Sequence, residues 1–291
     1  MLSNRRAYDR MTAEYRARFP GPDHPKKISV PVRRSFDGLV ESYVNSMFAI
    51  LGDGTFGSKT VFVDEPIGTL NAVTSVFDWD GSLEGTVDSA ALTADRCGLM
   101  TAFAIDQAFD CTDYSKLIVG LVGIGRINIA VARMLNEILG IKRFMLKHGP
   151  SGKTRGNAIL IPGDTLEASD YHQLNMCDVV VSCTTNANRD TMMKLPDPAI
   201  SETRLYIAHD GGWLFDESFR DRCLAYADHP QQIDAGHDFP FDEFNPLVST
   251  IFDLNALHGQ ACSGSPSIVY LSGMAMSDVI MAQEQLRSAA R

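Results

Sequence analysis

The sequence holds little that would tie it to a membrane, a metal or a nucleic acid. No window approaches the roughly 20 uninterrupted apolar residues that a bilayer span requires. The opening MLSNRRAYDR also lacks the apolar core of a secretory signal, which leads to the expectation of a cytoplasmic protein with no membrane partner. Cysteine is sparse: the six, at 97, 111, 177, 183, 223 and 262, form no C-x-x-C and no Cys/His pair at zinc spacing. Reduced, mostly buried thiols and no metal centre are expected. Positive charge is in deficit, with 26 Lys plus Arg against 36 Asp plus Glu and a net charge of −10 at pH 7, which disfavours nucleic acid. There is no internal repeat and no low-complexity tract. What remains is a globular composition, 45% hydrophobic and 21% charged, and 291 residues suit two domains.

The stretch from Lys116 to Gly140, KLIVGLVGIGRINIAVARMLNEILG, organises the rest. An apolar run, Leu117 to Val122, turns through Gly123-Ile-Gly125-Arg-Ile-Asn128 into Ile129, Ala132, Leu135 and Leu139 at helical spacing. Strand, glycine turn and helix in that order let the backbone approach a pyrophosphate, whose charge rests on the free N–H groups at the helix start. The third position of the dinucleotide fingerprint is Asn128 rather than Gly or Ala, so placement between a buried strand and an amphipathic helix carries the reading. The bland alternative is an ordinary strand-to-helix turn.

Residues 5 to 18 can form a short charged helix, stopped by FPGPDHP. From Lys27 to Ser89, short β-rich runs (ISVPV, LVESYV, KTVFV, NAVTSVFDW) predict an antiparallel sheet, with a hairpin turn at Asp80-Gly81. Helical periodicity then runs from Ala90 to about Phe109. Beyond the glycine turn, strands are expected at Lys142 to Lys147, 177 to 185, 204 to 212 and 223 to 228, and a helix at 165 to 175. A small-residue loop (258 to 267) precedes a last strand running into a helix. The expected fold class is α/β: a Rossmann-type doubly wound parallel sheet, residues 114–266, inserted into an α+β substrate-binding and dimerisation domain of residues 1–113 plus 267–291.

Several pieces in this order resemble the ornithine cyclodeaminase and mu-crystallin family. ALTADRCGLMTAFAID is similar to its L-T-A-x-R-T-A-A segment, GSKTVF to its G-x-K strand, and CDVVVSCTTN to its A-D-I-V-x-x-x-T strand. IAHDGG is similar to its V-G-x-D-x-P-G turn and GMAMSDVIMAQ to its closing G-x-A-x-x-D helix, so the likeness runs from about Pro31 to Gln283. The resemblance implies hydride transfer between a nicotinamide ring and the α-carbon of an amino or imino acid, usually in homodimers joined through the β-rich domain. It carries over Lys59 and Arg96, with Arg33 or Arg34, as the groups holding the substrate carboxylate, and Asp210 as a catalytic aspartate, with Lys59 also counted catalytic. An Arg fork and a second cation suit a carboxylate, and a carboxylate at a strand end suits management of a proton on nitrogen. The bland readings are a solvated strand lysine, a helix-surface arginine and a turn-forming aspartate. An antiparallel sheet would also need its edge covered, which a homodimer does.

Departures from the family pattern sharpen the expectations. The loop after Asp210 is short, so Trp213 stands to wall the pocket; His209 is read as a structural histidine more readily than a proton donor. Cys97 and Gly98 replace Thr and Ala after Arg96. The second strand ends in Lys147-His148, followed by Ser151, Lys153 and Arg155, where an NAD enzyme usually offers an acid to the ribose. NADPH is therefore expected, with NAD the alternative. The cofactor groups are Gly123, Gly125, Arg126, Ile127 and Asn128 of the turn, Lys147, His148 and Ser151, and Thr184 and Thr185 after the 177–185 strand. The expected function is NADPH-dependent reduction of a carboxylate-bearing imine, or the reverse dehydrogenation of an amino acid. The alternatives are a cyclodeaminase-type lyase with recycled NAD and a non-enzymatic, NADPH-dependent binding protein.

Overall fold

The structure, a computed structural model, describes residues 4–18, 25, 27–34, 36, 40–64, 69–109, 113–149, 155–184, 203–210, 212, 214–215, 217–230, 252–262 and 265–290. These fall into two compact units, one drawn from residues 4–96 and 273–290 and the other from 97–230 and 252–272.

The first unit is an antiparallel sheet with helices on one face. Its strands are β1 (Ile28–Arg34), β2 (Val40–Ile50), β3 (Phe56–Asp64), β4 (Thr69–Phe77) and β5 (Leu83–Asp88), joined in sequence order. The β4–β5 hairpin turns at Asp80-Gly81 as expected, with Gly81 at φ 88° and the Asp78 N–H donating to the Ser82 carbonyl. Alternation along the strands sends Met47, Lys59 and Thr74, paired in register across β2, β3 and β4, to one buried face. On that face lies the last helix, which is named α5 below (Ala275–Ala289), and helix α1 (Asn4–Arg18) packs against it. The close fit has a sequence cause. A Cβ on Gly57 would lie 2.7 Å from Val279 Cγ2, and one on Gly85 would lie 2.7 Å from Leu286 Cδ2, so two strand glycines admit two apolar residues of the helix. The opposite face is apolar and open: Ile28, Val30, Phe48, Ile50 and Val73 are exposed there.

Helix α2 (Ala90–Phe109) begins in the first unit and continues in the second. The second unit is a parallel sheet of β6 (Ile118–Val122), β7 (Arg143–Lys147), β8 (Asp164–Glu167), β9 (Val179–Ser182), β10 (Leu205–Ala208), β11 (Leu224–Ala227), β12 (Phe252–Asp253) and β13 (Ser267–Tyr270), in the order β12-β11-β13-β10-β9-β6-β7-β8. The chain order reverses at β6 and β9, the crevice where doubly wound sheets bind ligands. Strands β9, β10 and β13 are buried at every residue, as sheet strands covered on both faces must be. Helix α3 (Arg126–Met134) follows β6, passes into a π-helical turn at Leu135–Leu139 and ends on left-handed Gly140. The short helix α4 (Glu217–Arg220) precedes β11.

Two expectations are corrected here. The helix expected at 165 to 175 is instead edge strand β8 followed by a 3-10 helix at Tyr171–Met176, whose first turn is capped by the Asp170 carboxylate accepting from the Gln173 N–H. An edge strand is held by backbone pairing to β7 and leaves no burial pattern to read; all four of its residues are exposed. The last strand, β13, which the expected boundary at 267 gives to the first domain, lies inside the parallel sheet between β11 and β10. The α/β class with a Rossmann-type parallel sheet and a separate antiparallel sheet is what the chain adopts.

Candidate active site

In the first unit, Lys59 is not the solvated residue that a strand lysine usually is. The G-x-K spacing places Gly57 and Lys59 on the same face, beneath α5, and Lys59 is fully buried. Its ammonium donates to Asp278 Oδ1 at 2.6 Å and to Thr93 Oγ1 at 2.7 Å. The Thr93 hydroxyl spends its own proton on the Ser89 carbonyl at 2.8 Å, so its lone pairs face the ammonium. Arg96, one turn along α2 from Thr93, brings Nε to 3.6 Å from the same Asp278 oxygen and is 6% exposed. Gly273, at φ +93°, lies against the guanidinium: a Cβ there would stand 2.8 Å from one terminal nitrogen and 2.9 Å from the other. Two cations thus meet one buried carboxylate. The other carboxylate oxygen, Asp278 Oδ2, is enclosed with no hydrogen-bond partner among the described residues.

Arg33 and Arg34 stand apart from this cluster in character. Arg33 is half exposed, with Nε 2.9 Å from Glu41 on the adjacent strand β2 and a terminal nitrogen 3.1 Å from Asp64 at the end of β3. Arg34 is exposed at the end of β1.

In the second unit the glycine turn has the geometry its sequence demands. Gly123 has φ +81°, and a Cβ on it would run into the Cys183 carbonyl, so no other residue fits without displacing β9. Its N–H donates to the Lys147 carbonyl at 2.9 Å, and Cys183 N–H donates to the Val122 carbonyl at 3.0 Å, fixing the turn to both neighbouring strands. Gly125 is the N-cap of α3 with no side-chain cap, and a Cβ there would meet nothing within 4 Å. Among the described residues this side of the turn is therefore open above the helix-start N–H groups, a cradle that fits a pyrophosphate. Asn128 takes no part through its side chain: fully buried, its amide donates to the carbonyls of Val122 at 2.9 Å and Gly123 at 2.7 Å, bracing the turn from beneath. Asn157, which the sequence did not single out, donates to the Ile124 carbonyl at 2.8 Å. Arg126 is exposed and Ile127 half-buried at the helix start.

At the end of β7, Lys147 directs its ammonium to the Ser169 carbonyl at 2.6 Å and lies over the Tyr171 ring. His148 has Nε2 3.5 Å from Glu167 Oε1. Ser151 and Thr185, and Trp213 with them, lie outside the described residues.

Asp210 is half-buried just beyond β10. Its Oδ2 accepts from the Ser182 hydroxyl at 2.5 Å, the Thr184 hydroxyl at 2.8 Å and the Thr184 N–H at 2.8 Å, while Oδ1 accepts from the Gly212 N–H at 3.2 Å. The carboxylate thus ties the ends of β9 and β10 together and forms the turn that follows, and Thr184 faces Asp210. The neighbouring His209 shares its Nε2 with the Thr101 hydroxyl at 2.8 Å, and that hydroxyl donates to the Cys97 carbonyl at 2.9 Å, so Nε2 carries the proton. Burial, then the Asp210 carboxylate and then Cys97 push the Cys183 thiol well above its ordinary range. Gly98, beside Cys97, is where α2 meets α3: a Cβ there would lie 2.9 Å from the Ala130 carbonyl.

Sequence reasoning named Lys59, Arg96, Gly123, Gly125 and Asp210 but gave Asp278 and Thr93 no role. The signal for Asp278 lay in the closing Gly273-x-Ala275-x-x-Asp278 segment, whose aspartate is buried one helical turn in from the N-cap.

No family model matches the chain, and no curated protein matches it in sequence. Solved structures do match over nearly its whole length. An archaeal alanine dehydrogenase dimer with bound NAD superposes with TM-score 0.76 at 15% identity, covering 99% of this chain and 92% of that one. A Thermococcus litoralis Δ1-pyrroline-2-carboxylate reductase, in complex with NADH and L-proline, gives 0.71 at 14% identity over 99% and 92%. A probable ornithine cyclodeaminase from Bordetella pertussis Tohama I gives 0.66 at 17% identity over 100% and 94%. At these identities the likeness is one of architecture, and the chain has the fold shared by these three proteins: a Rossmann-type parallel sheet and a separate antiparallel sheet.

Proposed function

We propose that the chain is a member of the ornithine cyclodeaminase and mu-crystallin family and works as a nicotinamide-dependent oxidoreductase on a small amino or imino acid, most specifically an NADPH-dependent reductase of a carboxylate-bearing imine. The observation that carries the reading is the meeting of Lys59 and Arg96 at one buried point, 2.6 Å and 3.6 Å from a single carboxylate oxygen. Two buried cations oriented by one carboxylate suit an anionic ligand, and the carboxylate of a small amino or imino acid is the anion this reading assigns to them. In this reading the first unit binds substrate and the second binds cofactor. Arg33 or Arg34 supplies a third cation, Arg33 at the cost of leaving Glu41 and Asp64.

When bound, the nicotinamide supplies the hydride. The turn at Gly123 and Gly125, with Arg126, Ile127 and Asn128 opening α3, holds the pyrophosphate on backbone N–H groups. Lys59 and Arg96 fix the carboxylate and draw charge from the α-carbon. Asp210 manages the proton on the substrate nitrogen, with Thr184 and Ser182 setting the direction of its carboxylate. The end of β7 supports NADPH over NADH, because Lys147 and His148 stand where an acid would repel the 2′-phosphate. Lys147 must then leave the Ser169 carbonyl to reach it, with Ser151 as a further contact there, and Thr184 and Thr185 complete the cofactor-binding set.

The open apolar face of the antiparallel sheet supports a homodimer through that unit. The outer face presents Ile28, Val30, Phe48, Ile50 and Val73 to solvent in the single chain, side chains that a second copy of the sheet would cover.

The test is a titration with NADPH and NADH, followed by absorbance at the nicotinamide band with cyclic imino acids, 2-oxo acids plus amines, and ornithine. Selective NADPH binding with consumption on an imine is the expected outcome. Proline formed from ornithine without net oxidation of cofactor would instead place the chain among the lyases. Asp210→Asn should lower turnover by at least about 100-fold and leave cofactor affinity unchanged if the group acts in the transition state.

A further inference from the structure

Resting on the carboxylate-site reading above, we propose that Asp278 is a positioning residue: it holds Lys59 and Arg96 as a fixed pair, so that the cations meet a substrate carboxylate already oriented. The geometry is specific. Asp278 Oδ1 is 2.6 Å from Lys59 Nζ and 3.6 Å from Arg96 Nε, so one oxygen serves both cations. Thr93 closes the ammonium's second direction at 2.7 Å, with its hydroxyl proton turned away to the Ser89 carbonyl. Gly273 backs the guanidinium, and its missing side chain is what gives the planar group room. Asp278 itself is 1% exposed on the first turn of α5, whose seat on the sheet is set by Val279 against Gly57.

The chemistry gives these contacts a purpose. A lysine head has three rotatable donors on a flexible stem, and in a dry site it is held ionised only by an opposing charge. Asp278 supplies that charge and, with Thr93, removes the rotational freedom. Arg96 Nε, 3.6 Å from the same oxygen, is drawn by charge towards the point where the ammonium is held, so that both cations are oriented by one carboxylate. Among the described residues, the charged groups of this cluster come from three elements: Lys59 on β3, Arg96 on α2 and Asp278 on α5.

The full chain is titrated, in the presence of saturating NADPH, with L-proline and with L-prolinamide, a probe pair differing in whether a carboxylate is present. The wild-type chain is expected to prefer the acid at least 10-fold. In Asp278→Asn that preference should collapse to within about threefold, through weaker binding of proline alone, while NADPH affinity stays within twofold. A folded Asp278→Asn chain that keeps the wild-type preference overturns the proposal and leaves Asp278 as an anchor of α5 only. Should Asp278→Asn fail to fold, Thr93→Val removes the other ammonium partner at constant shape; the acid preference should fall three- to tenfold, and an unchanged preference overturns the proposal equally. A wild-type chain with no acid preference overturns the carboxylate-site reading itself, which separates the two failures.

Discussion

At the residue scale, the strongest constraints are on groups that have no room to change. Gly123 combines positive φ with a carbonyl occupying the space a Cβ would need. Gly123→Ala should therefore destabilise the chain by roughly 2 to 4 kcal/mol, from left-handed strain plus displacement of β9, and weaken nicotinamide binding at least tenfold. Gly125→Ala is the control, since a methyl there meets nothing among the described residues: stability should hold within about 1 kcal/mol while cofactor binding falls. Equal loss of stability in the two variants would argue against this account, and urea unfolding with a cofactor titration decides it. Cys177 offers a pH prediction. Burial first, and then the Asp178 carboxylate, push its thiol from an ordinary 9.0 up to about 12. The folded chain thus keeps a proton that the unfolded chain releases. The resulting stabilisation is complete below pH 9 and is lost as pH rises from 9 towards 12. The difference in unfolding free energy between wild type and Cys177→Ala should shrink across that window and be flat below it.

At the element scale, the seat of α5 on the antiparallel sheet decides where Asp278 falls. Gly57→Ala would set a methyl 2.6 Å from the Ser75 carbonyl and 2.7 Å from Val279 Cγ2. A cost of about 1 to 3 kcal/mol is expected. Adding Val279→Ala should recover only part of it, because the backbone carbonyl remains. Full recovery in the double variant would show that the helix, not the strand, sets the spacing. This element also shows why its role was only partly legible. The G-x-K spacing and the Gly273-to-Asp278 segment are both visible in the sequence, but nothing local says that residues 59 and 278 touch. The edge strand β8 was illegible for the opposite reason: its pairing is made by backbone, and its side chains carry no burial signal.

At the scale of the whole molecule, the exposed apolar face of the first unit's sheet predicts association. The unaltered chain is expected to sediment as a dimer at micromolar concentration and the Phe48→Lys, Val73→Lys double variant as a monomer, with each chain still folded by circular dichroism. Continued dimerisation of the double variant would move the interface elsewhere.

The sequence by itself determined the alternation of strand and helix, the glycine turn and the antiparallel first region, because each rests on local periodicity or on φ preferences that neighbouring residues set. It also named Lys59, Arg96 and Asp210 through a resemblance of spaced motifs. Only the tertiary structure decided that Lys59 is buried and not solvated, that Asp278 lies between the two cations, that Asn128 braces the turn with its side chain and that Asp210 is held by four donors. Apart from Asn128, whose partners are five and six positions away, and the Gly212 N–H on Asp210, those facts depend on contacts between residues far apart along the chain, up to 219 positions for Lys59 and Asp278. Burial and hydrogen bonding at such distances are properties of packing, which no local pattern encodes.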